Sequence, residues 1–301
     1  VTGRIWILGG EPGVADAVER SAASAGLAVC REGQPGEPAP IAGDAVIDLG
    51  LVPARAIAEV SLAEQERRRA EEWAARLPAD MRVVRASAFG ARPDAPTRLQ
   101  RAHGAAEDVY RSAEVELVAL RVGLLLGPVG LAACLRRAVE RSVVIPLPGL
   151  SRAKFEPVAL EDFALYCVRA ATATEALDDA YDLSCGEVVT GELLVRLLVD
   201  TLGHRRWILS LPGFARPSVA RLFGRPSYPA RFVLRDLEVM GRGLLPLRLN
   251  AWKHLAVEPR SLREGLALAA GMAAPLRKKG EGRYGAWHAP EKKGILWRRK
   301  R

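Results

Sequence analysis

Short runs rich in β-branched and other apolar residues alternate with helix-patterned segments through the first 150 residues, and this alternation constrains the fold more than any other feature. Residues 4–9 (RIWILG), 27–31, 45–49 (AVIDL), 81–88, 115–122 and 142–147 (SVVIPL) each have the length of a strand. Between them, residues 14–25, 62–77 and 97–112 carry helical spacing, and a further helix follows Gly130. In the second helix Glu64, Arg67, Arg68 and Glu71 fall three and four residues apart, the separation at which side chains meet along a helix. Strands that alternate with helices over short connections run parallel, with helices over both faces of the sheet. The expected class is therefore α/β, a doubly wound parallel sheet over residues 1–186. After Gly186 the texture changes to helical segments broken by prolines, which predicts a smaller, mainly helical C-terminal lobe over residues 187–274. In that lobe Trp207 and Phe214, with Trp252, are expected to pack in the core. Residues 275–301 have no period and read as an extended tail.

The first strand runs into Gly9-Gly10-Glu11-Pro12-Gly13-Val14-Ala15. In a Rossmann-type unit this is where backbone amides and a helix N-terminus hold a pyrophosphate. Gly9, Gly10 and Gly13 are accordingly the candidate dinucleotide-binding residues. Pro12 departs from the pattern, because it lacks an N–H and brings a ring to the place where backbone should approach phosphate. The second strand ends in Cys30-Arg31-Glu32. Arg31 suits a 2′-phosphate, so NADP(H) is the expected dinucleotide if one binds. The alternative is an ordinary β–α turn that holds no cofactor, with Arg31 a plain surface arginine.

Residues 83–127 read VVRASAFGARPDAPTRLQRAHGAAEDVYRSAEVELVALRVGLLLG. A strand ends in a serine- and glycine-containing stretch, an Asp/Pro loop and a helix follow, and the next strand closes on Arg121-Val122-Gly123 and Gly127-Pro128. Pro146-Leu147-Pro148-Gly149, Phe155-Glu156-Pro157-Val158, Tyr181-Asp182-Leu183 and Leu255 to Leu262 come after in order. Over residues 4–268 the chain resembles the atypical extended short-chain dehydrogenases, particularly NmrA-like proteins and the nucleotide-binding accessory subunit of respiratory complex I. The resemblance implies a YxxxK pair in the helix over 97–112, where Tyr exchanges a proton and Lys, one turn on, lowers its pKa. Here Leu99 stands at the Tyr position and His103 at the Lys position. Leucine transfers no proton, so oxidoreduction by the usual mechanism is not expected. Ser87 lies near the family's serine, and His103 offers either a ribose contact or base, or a solvent-facing helical position without chemistry. Ser87 and His103 are thus the only catalytic candidates. Tyr110, two turns beyond His103, lies too far along the helix to replace the missing Tyr.

The formal net charge of +9 is unevenly placed. Residues 277–301 carry a net charge of +8, and the rest is close to neutral. Arg277, Lys278, Lys279, Arg298 and Arg299, interleaved with Trp287 and Trp297, suit docking to a larger protein complex or an anionic surface. Single-stranded nucleic acid is the less favoured partner. The four cysteines form no CxxC pair and the four histidines are dispersed, so no metal site is expected and a reducing compartment such as the cytoplasm is. No apolar run reaches membrane-spanning length; any membrane association would be peripheral, through a complex. The expected function is that of a non-catalytic or weakly catalytic NAD(P)-binding-fold protein, serving as accessory subunit, scaffold or nucleotide sensor. The alternatives are an NADP(H)-dependent reductase, epimerase or isomerase with an unconventional acid, and an RNA-associated protein.

Overall fold

The apolar run IWIL becomes β1 (Ile5–Leu8), every residue of which is buried. The computed structural model describes residues 3–33, 39–51, 60–226, 228–243, 245–246 and 251–272. After β1 come α1 (Pro12–Ser24), β2 (Val29–Arg31), β3 (Ala45–Asp48), α2 (Leu62–Ala74), β4 (Arg82–Ala88), α3 (Arg98–Ser112) and β5 (Glu116–Val122). Next are β6 (Leu125–Leu126), α4 (Gly130–Arg141), β7 (Val144–Pro148), β8 (Lys154–Phe155), β9 (Val158–Ala159), α5 (Leu160–Thr172) and β10 (Ala180–Leu183). The chain continues with β11 (Val189–Thr190), α6 (Gly191–Thr201), β12 (Trp207–Leu211), α7 (Arg216–Phe223), α8 (Ala230–Met240), α9 (Ala251–His254) and α10 (Leu262–Ala269). Local chemistry sets several of the helix starts. Ser61, Thr97 and Thr190 each accept a backbone N–H from the first turn of α2, α3 and α6, and Ser261 and Glu264 make a reciprocal capping box on α10.

Six strands form one parallel sheet in the order β10-β5-β4-β3-β1-β2. Side chains of β1 alternate across it. Ile5 and Ile7 enter a core with Val18 of α1 and Phe163 and Cys167 of α5. Trp6 and Leu8 enter a second core with Ala70 and Trp73 of α2 and Ala106 and Tyr110 of α3. Helices therefore cover both faces, which is the doubly wound α/β architecture read from the alternation. A third core joins α4, β7, α6, α7, α8 and α10 through Leu135, Ile145, Leu198, Val219, Phe232 and Leu266.

Three expectations are corrected. The strand over residues 142–147 forms, as β7, but it lies outside the main sheet and pairs in parallel with β12. Its burial alternates, with Val144 exposed beside Ile145 buried, whereas β1, β3 and β10 are buried throughout. A half-wet strand suits a two-stranded ribbon, and β10 takes the sixth place beside β5 instead. Pro12 is not an intrusion into the glycine turn; it is the first residue of α1, where a missing N–H costs nothing and the fixed φ favours the helix. Trp207 and Phe214 are 76% and 84% exposed and belong to no core, Trp207 on the two-stranded β7–β12 ribbon and Phe214 in the short helical turn that follows it; Trp252 packs against the α1–α5 core.

Candidate functional site

In a doubly wound sheet, ligands lie beyond the carboxyl ends of the strands where the winding reverses. Here the chain leaves β1 for β2 on one side and returns to β3 on the other, so the reversal lies between β1 and β3. Gly9, Gly10 and Gly50, all at positive φ, make the ends of these strands. Gly10 N–H donates to Gly50 O at 2.8 Å, closing β1 directly onto β3. A Cβ at Gly10 would lie 2.6 Å from Cβ of Leu49, and one at Gly13 would lie 2.7 Å from Val129 Cγ1. Close packing against the Leu49 and Val129 side chains therefore accounts for Gly10 and Gly13 without a phosphate.

The chain's own carboxylates occupy the crevice. Glu32, just beyond β2, accepts the Gly9 N–H at 2.8 Å and is held by Arg69 at 3.3 Å and the Trp73 indole N–H at 3.4 Å. Glu11, in the glycine turn itself, reaches across to accept the Gly130 N–H at the start of α4, 2.7 Å away, and pairs with Arg225 at 3.0 Å. Burial pushes the Glu11 carboxyl above its usual range, and the Gly130 amide and Arg225 partly offset this. Arg31 points elsewhere: its guanidinium ion-pairs with Asp16 and Glu19 of α1 at 2.7 and 2.6 Å. Of the residues read as cofactor-binding, Gly9, Gly10 and Gly13 are thus together in the turn, and Arg31 faces α1.

Beneath the crevice lies a buried ionic network that sequence reading missed. Asp48, at the end of β3, accepts from Tyr110 Oη at 3.0 Å and from Gly50 N–H, and pairs with Arg69 and with Arg85 at 3.1 Å. Arg85 also holds Glu66 at 2.7 Å, and Glu66 accepts the Leu51 N–H. Although burial opposes the charge, Arg69 and Arg85 hold the Asp48 carboxyl down at about 2. Tyr110 is therefore a structural donor, and its pKa is pushed up by burial and by Asp48.

A small cavity of about 170 Å³ opens where β4 and β5 end. Leu99, His103 and Ser87 line it from the sheet domain, and Tyr228, Arg235 and Asp236 close it from the C-terminal lobe. The two catalytic candidates are thus brought together, and His103 faces this cavity and not solvent. Ser87 donates to the buried Glu107 at 2.5 Å, and Glu107 is in turn held by Arg121. His103 Nδ1 is buried without a hydrogen-bond partner among the described residues. Burial, then Arg85 and Arg235, push the imidazole down to about 3, so it is neutral and carries no lysine-like charge. Tyr228 donates to Asp236 at 2.5 Å and accepts from Arg235 at 2.9 Å. Burial and the neighbouring Asp236 charge raise its pKa well above 10, which keeps the phenol protonated. No spacing signal tied residues 228–236 to this cavity; they arrive through the fold of the second lobe.

No family model matches the chain, and no curated protein matches it either. Solved structures do. Human epimerase family protein SDR39U1 (isoform 2), determined with NADPH, superposes with a TM-score of 0.68 at 15% identity, covering 91% of this chain and all of that one. A nucleoside-diphosphate-sugar epimerase from Staphylococcus aureus gives 0.65 at 14% identity, over 87% of this chain and 99% of its own. The triphenylmethane reductase of a Citrobacter species gives 0.64 at 15% identity, over 89% and 100%. The chain has the Rossmann-type fold of these proteins. That is the fold implied by the landmarks from Val83 to Leu262. The basic-aromatic residues Arg277, Lys278, Lys279, Trp287, Trp297, Arg298 and Arg299 lie outside the described residues. Among the described residues no group of three or more His, Cys, Asp or Glu is placed to hold a metal, and no helix is long and apolar enough to cross a membrane.

Proposed function

We propose that this chain is a non-catalytic Rossmann-fold protein that serves as an accessory or scaffold subunit, its dinucleotide crevice closed by its own side chains. One observation carries the reading: the Glu32 carboxylate sits on the Gly9 amide, where the fold would otherwise offer an N–H to pyrophosphate. A carboxylate there repels a phosphate as well as blocking it. The other residues agree. Arg31 is engaged by Asp16 and Glu19, Leu99 cannot carry a proton, and neutral His103 cannot stabilise a tyrosinate. The cavity beside them is smaller than the roughly 300–1,000 Å³ of ordinary ligand pockets. These residues do not fit NAD(P)(H) in its usual position, so no chemical step is drawn through it.

Calorimetry tests this directly. The full chain should give no saturable heat with NAD⁺, NADH, NADP⁺ or NADPH, and Glu32→Ala should be the variant that first admits any of them. Saturable binding to the unaltered chain would overturn the reading. The accessory role predicts elution from a native extract well above 32.5 kDa, with a return to monomer when residues 275–301 are deleted. A monomer in both cases would sink that part.

A reductase or epimerase with an unconventional acid is the second reading. It is favoured by the cavity that gathers Ser87, His103 and Tyr228 at the ends of β4 and β5. The same neighbours that hold the Tyr228 proton count against it, and binding of a dinucleotide to the unaltered chain would restore it.

A further inference from the structure

We infer that the chain carries a separate binding site for a small phosphate-bearing anion, in the cleft at the carboxyl ends of β7 and β12. The cleft is open to solvent, has a volume of about 690 Å³ and shares no lining residue with the cavity at Leu99 and His103. Arg152 and Lys154 reach it from the segment after β7, and Arg242 reaches it from the turn after α8. All three are exposed. Among the described residues no carboxylate pairs with Arg152, Lys154 or Arg242, so three like charges converge on one concave space without compensation. An anion in that space would meet positive charge from three side chains.

The lining between the charges supplies neutral donors and room. Ser151 Oγ and Ser210 Oγ lie 2.8 Å apart at the edge of the cleft, so at most one of their protons is used between them and the other is free for an oxygen. Gly149 and Gly241 leave the space that a fourth cation fills from below. A Cβ at Gly149 would lie 2.8 Å from the Arg216 Nη2, and one at Gly241 would collide with the same guanidinium. Arg216 is anchored through its Nε to Pro148 O at 3.3 Å and has no carboxylate partner among the described residues. A Cβ at Gly243 would lie 3.2 Å from Lys154 O, so the turn bearing Arg242 passes close over the strand bearing Lys154. The chemistry is that of a compact, multiply charged oxyanion: planar guanidinium forks, an ammonium and hydroxyls set around a ligand-sized hollow. A cleft of this volume has room for a phosphate ester or a diphosphate.

The test uses the full chain and inorganic pyrophosphate, in a buffer free of phosphate and sulfate. Calorimetry should show saturable binding that weakens as salt rises. Arg152→Gln, Lys154→Gln and Arg242→Gln should each weaken it by about tenfold, and the triple variant should abolish it. Because these side chains are exposed, the thermal midpoints of the unliganded variants should stay near that of the parent chain. Heat that survived in the triple variant would belong to the β1–β3 crevice, so the test separates this cleft from any binding there. Absence of saturable heat, or a triple variant that binds as the parent does, would overturn the proposal.

Discussion

Arg85→Met should lower the stability of the folded chain by about 3–5 kcal/mol, the cost of breaking a buried ion pair from one side. Arg85 is 0% exposed and sits on β4 in the middle of the sheet. It holds Asp48 at 3.1 Å and Glu66 at 2.7 Å, and donates further to Asp48 O. Methionine fills much of the same volume, so the loss reports the charges more than a cavity. Asp48 keeps Arg69, Tyr110 and the Gly50 amide in the variant; Glu66 keeps only the Leu51 amide among its direct partners described above. The residual burden therefore falls on Glu66. Arg85→Met combined with Glu66→Gln should recover part of the loss, because the uncompensated charge is then gone. Urea unfolding of the parent, the two single variants and the double variant measures the coupling. A loss below about 1 kcal/mol for Arg85→Met would mean that water reaches these carboxylates.

The sheet was legible because β1, β3 and the apolar stretches within β4 and β5 are short and bounded by turn residues, and burial on both faces leaves such runs little choice. The place of β10 was not, since AYDL is four residues long and its neighbour is decided by α5 packing against α1 and the sheet. Glu32 was recoverable in principle. Side chains alternate along β2, so Leu27, Val29 and Arg31 share one face while Cys30 and Glu32 share the other. Leu27 and Val29 pack with the α1–α5 core, which sends Arg31 to Asp16 and Glu19. Cys30 packs toward α2, which sends Glu32 to Arg69, Trp73 and the Gly9 amide. Reading Arg31 toward a 2′-phosphate weighed residue type without that parity. The contribution of Tyr228, Arg235 and Asp236 had no comparable signal. They lie over 120 residues from His103 in sequence, and only the docking of α8 near α3 brings them to it.

His103 gives the second large effect, and its sign follows from burial. Its imidazole is held down to about 3, first by burial and then by Arg85 and Arg235; Glu107 and Asp48 pull weakly the other way. In the unfolded chain the same group takes a proton near its ordinary value of 6.5. Above that pH it is neutral in both states and contributes no pH dependence. As the pH falls below 6.5 the unfolded state gains a proton that the folded state refuses, so stability drops until about pH 3. The slope approaches about 1.4 kcal/mol per pH unit, or about 2 kcal/mol lost by pH 5. His103→Gln cannot titrate and should remove that loss. The stability difference between parent and variant, measured by urea unfolding, should therefore shift in favour of the variant by about 2 kcal/mol between pH 7 and pH 5. Glu11 and Asp162, whose carboxyls are raised by burial, titrate with the opposite sign, but both chains carry them and the difference isolates His103. Asp48, held at about 2, adds its own loss only below the usual aspartate range of 3.8. A parent chain whose His103 titrates near 6.5 by NMR, or a difference that does not move with pH, would refute this. It would also reopen chemistry at the cavity, because an imidazole that ionises near neutrality can exchange protons there and a permanently neutral one beside Leu99 cannot.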